Sequence, residues 1–533
     1  MGKGGRSDIF LFPDCKCSDI TVAILRRRTS DLQGSRRSRE KDMTINAASI
    51  RAQGPAYELF IGSAWTGARE GRRFDRTNPY DGSIAASFAN ATAADADAAI
   101  RAARGAFDTG PWPRSSARER HDLLRRVADA IRARIEDFAA RMVAESGKPV
   151  SLARGEAGAA ARTFDYYAGL ALADEGAAIA GRVPQAMGLI LPEPVGVCAF
   201  ITPWNFPMLN PVCKIAPALA AGCTVVIKPS HLCPGPVAVL AEVLAEAGLP
   251  EGVFNLVTSD LERGGTVGQV LAGSDLVDKV AFTGSTTTGR AVMRAASGNN
   301  KHVALELGGK SANIVFADAP FEAAVTTAIS AFCFNSGQQC SAGSRLLVQR
   351  SIHDQFVEAL AQAAGRQVLG NPADAATTMG PLVNDEQFAR VSRYVELGDT
   401  EGRRLCGGPT GEGYFMAPTI FAGLSNASRL AQEEIFGPVL SVIPFSDEAE
   451  AVALANDSAY GLAGGVWSRS IDTALRVARS VRTGKMFVNC YNSAGIDDMP
   501  HGGVKDSGIG REFGRQGLQE YQTVKTVQIR LDN

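Results

Sequence analysis

Three things are scarce in this sequence, and each absence removes a class of function. Unbroken apolar runs come first. The most apolar region, 195–227, is interrupted by Asn205, Asn210, Lys214 and five prolines or glycines between Pro203 and Gly222. A membrane-spanning helix needs about 20 predominantly apolar residues in a row, so this region reads as buried strand, turn, helix and second strand, and no membrane span is expected. Charge of one sign is also lacking: 55 Lys and Arg face 56 Asp and Glu, for a net charge of −1. That balance gives no electrostatic case for nucleic acid or for a membrane surface. Clustered cysteine is the third. Of ten cysteines, only Cys15 and Cys17 are close in sequence, and their spacing is not that of a zinc site. Free thiols, a reducing, cytoplasmic location and no metal are the expectation.

What is present is an ordinary globular composition, 45% apolar and 21% charged, in a chain long enough for two or three domains. Residues 1–54 stand apart. They carry arginine clusters at 26–28 and 36–39 and no sustained periodicity. A transit peptide would be Arg- and Ser-rich, but Asp8, Asp14, Asp19 and Asp31 argue against one. A disordered tail, or an extended start with Met43 the true first residue, is the plainer reading. From Tyr57 onward folded patterns appear. Residues 58–65 read as a strand, and Thr92 with Asp95 as a capping box opening a helix through Phe107. Leu124, Val127, Ile131, Ile135, Phe138 and Met142 recur at steps of three and four, which predicts one long amphipathic helix stopped by Gly147 and Pro149. After Val195, short β-rich runs (196–201, 224–227, 279–282, 311–316) alternate with helical ones (236–247, 289–297). That is the pattern of βαβ units around a mostly parallel sheet.

Several segments carry chemistry. Phe334 to Arg345 reads FNSGQQCSAGSR: one cysteine, Cys340, among small and polar residues that leave the backbone open to a ligand. It is either a nucleophilic thiol or a small buried hydrophobe. Leu305 to Lys310, LELGGK, sets Glu306 among apolar neighbours. Desolvation there would raise its pKa toward that of a general base, unless it is simply paired with Lys310 or Arg290. In PWNFP, Asn205 sits between two aromatics. Its amide could donate to a developing oxyanion, or merely satisfy a turn. Lys228, Ser230 and His231 follow the strand 224–227, at the strand end where nucleotides bind in open α/β sheets. Phe282 to Gly289 follows another strand and opens a helix, whose first N–H groups attract phosphate. It is not the common G-x-G-x-x-G motif. Glu434 and Phe436, in EEIFGP, pair a carboxylate with an aromatic that could hold a ribose diol and a flat ring.

Taken together and in this order, PWNFP, KPS, FTGST, LELGGK, GQ-x-C, EEIFGP and GG-x-K-x-SG-x-GRE resemble the aldehyde dehydrogenase superfamily, from about Tyr57 to the C-terminus. The 34 positions between Glu306 and Cys340 fit it too. The resemblance implies an α/β aldehyde dehydrogenase fold with a Rossmann-like cofactor domain, an α/β catalytic domain and a small β oligomerisation extension. Those would be residues 55–175 and 195–308, residues 309–506, and residues 176–194 and 521–533, with 507–520 returning to the cofactor domain. It implies oxidation of a small-molecule aldehyde to the acid, through a thiohemiacetal and thioester hydrolysed by water. In that scheme Cys340 is the nucleophile, Glu306 the base and Asn205 the oxyanion donor, with Glu512 as a proton relay. Trp204, Lys228, Ser230, His231, Gly284, Ser285, Gly289, Leu307, Glu434 and Phe436 would bind the cofactor. A homodimer or homotetramer is the family habit.

Two departures matter. His231 stands where the family often has a glutamate gripping the adenosine ribose, so NADP use is plausible beside NAD. The pocket residues expected from the resemblance are Asn210, Cys213, Gln339, Ser341, Asn492, Asp497, Asp498 and His501. Asn210 and Cys213 stand where other members carry bulky apolar residues, the late loop 492–501 is polar and lacks the aromatic pair of members that oxidise small aliphatic aldehydes, and its adjacent aspartates suggest a cationic aminoaldehyde. A CoA-acylating semialdehyde dehydrogenase, or a catalytically silent binding protein on the same fold, are the competing readings. The water-activating Glu306 disfavours the first, and the joint presence of Cys340, Glu306 and Asn205 disfavours the second.

Overall fold

The computed structural model describes residues 54–173, 176–492 and 498–531. The expectations for residues 1–53, and that for Asp497, lie outside the described residues.

Two large sheets carry the architecture. In the first, of eight strands, the order is Gly508–Ile509, His302–Glu306, Lys279–Thr283, Val197–Thr202, Thr224–Pro229, Phe254–Leu256, Leu59–Ile61 and Ala64–Thr66. Its five central strands are parallel, and antiparallel strands close both edges. The central strands read as continuous apolar runs because helices cover both faces. Val197–Thr202 is buried almost throughout and Thr224–Pro229 entirely. The second sheet has seven strands: Arg403–Pro409, Met416–Ala422, Val439–Phe445, Arg345–Gln349, Ala312–Val315, Ala463–Trp467 and Lys485–Val488. Only its first strand runs antiparallel. A three-stranded antiparallel sheet joins Ala177–Ala180, Ala186–Pro194 and Gln522–Arg530.

The local signals hold with two corrections. The Thr92–Asp95 capping box is present and opens the helix Ala93–Asp108. The single strand expected over 58–65 is instead a hairpin of Leu59–Ile61 and Ala64–Thr66, turned by Ser63 and Gly62 at positive φ. The single long helix is two, Ala117–Ala133 and Ile135–Ser146. Arg134 leaves helical geometry between them, and its guanidinium pairs with Asp137 and Glu242. The periodicity survives the break because Leu124, Val127, Ile131, Phe138 and Met142 still reach one core. Gly147 ends the second helix with φ 70°. A Cβ there would stand 2.8 Å from Pro381 Cγ, so both the turn and the packing require glycine.

Candidate active site

The segment that carries Cys340 is built by an unusual turn. After the helix Phe321–Cys333 the chain passes through Asn335, Ser336 and Gly337 at φ 52°, 55° and 74°. Two consecutive non-glycine residues in the left-handed region are costly, and such strain persists only where the surroundings over-determine it. Gly337 shows how: its Cβ would lie 2.2 Å from the carbonyl carbon of Gly437. Three residues on, Cys340 is half-buried. Gly309 packs so closely on its backbone that a Cβ there would come 2.4 Å from the Cys340 carbonyl oxygen. Burial pushes the Cys340 thiol up to about 12, and the nearby carboxylates of Glu434 and Glu306 add to the rise. A hydrogen bond from the Ser341 backbone N–H opposes it.

Asn205 is fixed from behind. Its carbonyl oxygen accepts hydrogen bonds from Lys148 Nζ (2.8 Å) and Asn335 Nδ2 (3.0 Å). Its own Nδ2 donates to the Gln338 carbonyl at 3.0 Å, two residues before Cys340. Lys148 is buried, ion-paired with Glu156 and positioned over the Phe206 ring. Glu156 in turn accepts from the backbone N–H groups of Met208 and Leu209, at the start of the helix Leu209–Ala221. Sequence reasoning missed Lys148, Glu156 and Asn335. The signal that could have found the first was a lysine between Gly147 and Pro149, buried despite its charge.

Glu306 ends the strand His302–Glu306, buried, and neither carboxylate oxygen has a hydrogen-bond partner. The expected alternative, pairing with Lys310 or Arg290, does not occur. Lys310 Nζ is itself unpartnered, and Arg290 pairs with Asp506. Burial holds the Glu306 carboxyl well above the usual range. Glu512 raises it further, while Lys214 and Arg511 pull it down. Gly502 lies against it: a Cβ there would be 2.7 Å from Oε1.

The Glu512 charge acts on Glu306. Glu512 is ion-paired with the buried Lys214, whose Nζ also donates to Thr283 Oγ1 at 2.6 Å. The Cys213 thiol donates to Glu512 Oε2 at 3.1 Å. His501 and Glu512 exchange backbone hydrogen bonds, both 2.7 Å. The His501 ring is lowered to about 4 by burial and is therefore neutral near pH 7. Lys214 entered the sequence reading only as an interruption of an apolar run. Its i, i+4 relation to Asn210, whose carbonyl accepts from Nζ at 3.4 Å, was the available cue.

Most of the residues expected at the cofactor lie at or just past the C-terminal ends of the first sheet's parallel strands, and Glu434 and Phe436 lie in the loop before the strand Val439–Phe445. Trp204 and Phe436 meet edge to face, centroids 5.5 Å apart, with Phe436 at φ 63°. Glu434 Oε1 accepts from the Gly309 N–H at 3.0 Å. Ser285 caps the helix Thr286–Ala296. Gly284 and Gly289 have no room for side chains: their Cβ atoms would lie 2.5 Å from the Phe282 ring and from Leu307 Cδ2. Lys228 is buried with no partner nearer than its neighbour's carbonyl at 3.5 Å, and burial brings it down to about 8. His231 is lowered to about 4 by burial and by the cations Lys228 and Arg76, so it carries no charge near pH 7. Ser230 Oγ accepts from the Leu232 N–H at 3.3 Å. A buried cation without an anion, a capped helix start and an aromatic wall suit a phosphate-bearing dinucleotide.

The pocket residues are less uniform. Asn210 Nδ2 reaches Asn205 Oδ1 at 3.4 Å. Gln339 Nε2 donates to Ser341 Oγ at 2.9 Å, and both are buried. Asn492 and Asp498 are exposed, and the Asp498 charge is close enough to raise Tyr166. Phe206 and Phe334 stack with centroids 6.2 Å apart, an aromatic pair the sequence reading did not anticipate. Among the described residues no cluster of His, Cys, Asp or Glu could hold a metal, and no helix is long and apolar enough to cross a membrane.

Residues 65–527 match the aldehyde dehydrogenase family model. The chain belongs to that family. It is 45% identical over 476 residues to a betaine aldehyde dehydrogenase of Bacillus subtilis (strain 168), covering 88% of this chain and 96% of that one. It is 41% identical to a human mitochondrial aldehyde dehydrogenase, covering 89% and 92%. Among solved structures, an NAD-dependent aldehyde dehydrogenase from Sinorhizobium meliloti matches with TM-score 0.89 and 42% identity, covering 92% of this chain and 97% of that one. A betaine aldehyde dehydrogenase from Staphylococcus aureus in complex with NAD+ matches with TM-score 0.86 and 39% identity, covering 89% and 95%. The enzyme thus oxidises an aldehyde to the carboxylic acid with a nicotinamide dinucleotide.

Proposed function

We propose that Cys340 is the nucleophile, Glu306 the general base and Asn205 the oxyanion donor of a hydrolytic aldehyde dehydrogenase acting on polar, amine-bearing aldehydes. The observation that carries the assignment is the Glu306 carboxylate: buried, unpartnered at both oxygens, and close enough to perturb the Cys340 thiol. A buried ionisable group left unsatisfied is costly and needs a use.

The chemistry follows from these groups. With its proton removed, Cys340 Sγ adds to the aldehyde carbon. The carbonyl π pair moves onto oxygen, where the free Asn205 N–H and the Cys340 backbone N–H stabilise it. When bound, the oxidised cofactor supplies a positive ring favouring the thiolate and an acceptor for the departing hydride. The product on Cys340 is a thioester. Glu306 takes a proton from water, the hydroxide oxygen attacks the thioester carbon, and the C–S pair returns to sulfur. Glu512, held by Lys214 and Cys213, is placed to pass that proton onward. Lys228, Ser230, Ser285, Glu434, Trp204 and Phe436 would hold the dinucleotide. The base argues against CoA as the acyl acceptor, since a thiol needs no activated water.

Neutral His231 presents no negative charge to repel a 2′-phosphate, which supports use of NADP as well as NAD. The aminoaldehyde reading rests on exposed Asp498, whose charge reaches Tyr166, and on the partly exposed Phe334 ring, whose outer face a cation could meet. The domain division at about 308 and 507 follows the two sheets, and oligomerisation through the three-stranded sheet suits its exposed Leu191 and Val524. A cytoplasmic location suits the free thiols. Specificity constants for an amino aldehyde and an alkyl aldehyde of equal length test the substrate. The amino aldehyde should be favoured by about ten-fold or more, and a better alkyl substrate would refute the reading.

A further inference from the structure

Behind the nucleophile loop lies a second cluster that the reaction does not use. Lys310 and Ser311 lead into the strand Ala312–Val315, and Arg345 begins its parallel neighbour Arg345–Gln349. All three side chains are more than nine-tenths buried. Lys310 Nζ, Ser311 Oγ and Arg345 Nε have no hydrogen-bond partner. These residues line one small cavity together with Tyr460, Leu462 and Thr483, and no carboxylate is among its lining residues. The cavity has room for about one water-sized particle. The remaining Arg345 nitrogens are fully engaged: Nη1 on Asn426 Oδ1 and the Leu454 and Asp457 carbonyls, Nη2 on the Ala455 carbonyl. The guanidinium is therefore fixed, with Nε buried and unpaired.

We propose that this cavity is a binding site for a small monovalent anion of the size of chloride, held by Lys310, Arg345 and Ser311. Two cations and a hydroxyl share one void, the carboxylates that act on them, Glu434, Glu433 and Asp457, lie outside its lining, and a buried charge without a direct partner is strongly disfavoured. A water could bridge the donors but could not neutralise them. A chloride accepts from all three groups at once. Without it the Lys310 ammonium is driven down to about 7, by burial and then by Arg345, so the empty site partly sheds a proton. The neighbouring wall bears on catalysis. Gly309 lies one residue before Lys310, and its Cβ position is bounded by both the Cys340 carbonyl and Leu462 of the cavity lining. An occupied site would brace the floor on which the nucleophile loop rests.

The test uses the whole enzyme. Crystals grown or soaked in sodium bromide, measured at the bromine absorption edge, should show an anomalous peak between Lys310 Nζ and Arg345 Nε. The melting temperature should be about 2 °C higher in sodium chloride than in sodium gluconate of equal ionic strength, gluconate being too large to enter. Lys310→Met should abolish that difference and Lys310→Arg should retain it. If Lys310→Met does not fold, Ser311→Ala serves, with a smaller difference expected. A water peak without anomalous signal, or a chloride dependence that persists unchanged in the variants, would overturn the proposal.

Discussion

At the scale of single residues, the site is a set of acids that hold their protons until something lowers them. Cys340 is pushed up to about 12 and Glu306 is held well above the carboxylate range, both chiefly by burial. In the proposed reaction hydrolysis needs Glu306 deprotonated, so its raised pKa should move the acid limb of the deacylation rate toward neutral pH, with the rate rising as pH increases through it. Glu512 raises Glu306 and Lys214 lowers it. Glu512→Gln should therefore shift the limb to lower pH and Lys214→Met to higher pH, as read from pH profiles of single-turnover hydrolysis. Shifts in the reverse directions would show that the two groups do not act on Glu306. Cys340→Ala should lose aldehyde oxidation below detection while still binding the dinucleotide, checked by calorimetry. Cys340, Glu306 and Asn205 stand out in the sequence because each sits in a short motif whose neighbours are themselves unusual. Lys148 and Glu156 do not, because their meaning comes from contacts with residues 57 and 52 positions away. No local pattern encodes such contacts.

At the scale of elements, the turn 335–337 decides where the nucleophile stands. Its left-handed residues are held by packing against Gly437 and by the Ser336 hydroxyl, which donates to the Gly380 carbonyl at 2.8 Å. Gly337→Ala must place a methyl group against that backbone and at a φ unsuited to alanine. It should cost about 2–4 kcal/mol of stability, measured by denaturant unfolding, and lower kcat in the protein that remains folded. The fold's elements were mostly readable from period and caps: the capping box at Thr92, the Gly147 stop and the buried parallel strands all appear where the residues place them. The misread elements share one cause. Hydrophobic period reports which face is buried, not whether the backbone is continuous. A helix bent at Arg134 or a strand folded into a hairpin at Ser63 keeps the same apolar positions and looks unbroken in sequence.

At the scale of the whole molecule, two sheets bring together residues from distant parts of the chain. Glu306 comes from the end of the first sheet, Cys340 from the loop entering the second, and Glu512 from the segment returning to the first. The alternation of strands and helices made that class of fold readable. The order of strands was not readable from the pattern. Cofactor choice belongs to this scale, because the fold sets the neutral His231 just past the end of the central strand Thr224–Pro229. His231→Glu would place a carboxylate where a 2′-phosphate would lie. Like-charge repulsion near a protein surface is worth about 1–4 kcal/mol, so preference should move toward NAD by about ten-fold or more. The ratio of kcat/KM for the two dinucleotides measures it, and an unchanged ratio would show that another group sets the choice.

The central claim is that one thiol carries the acyl group and one carboxylate releases it. Rapid acid quench of Glu306→Gln with aldehyde and oxidised cofactor, followed by mass spectrometry of the digested protein, tests both halves at once. The account predicts a single early turnover of reduced cofactor, a steady-state rate lower by about 10²–10⁴, and an acyl adduct on the peptide containing Cys340. Undiminished steady-state turnover, or an adduct on any other cysteine, would contradict it.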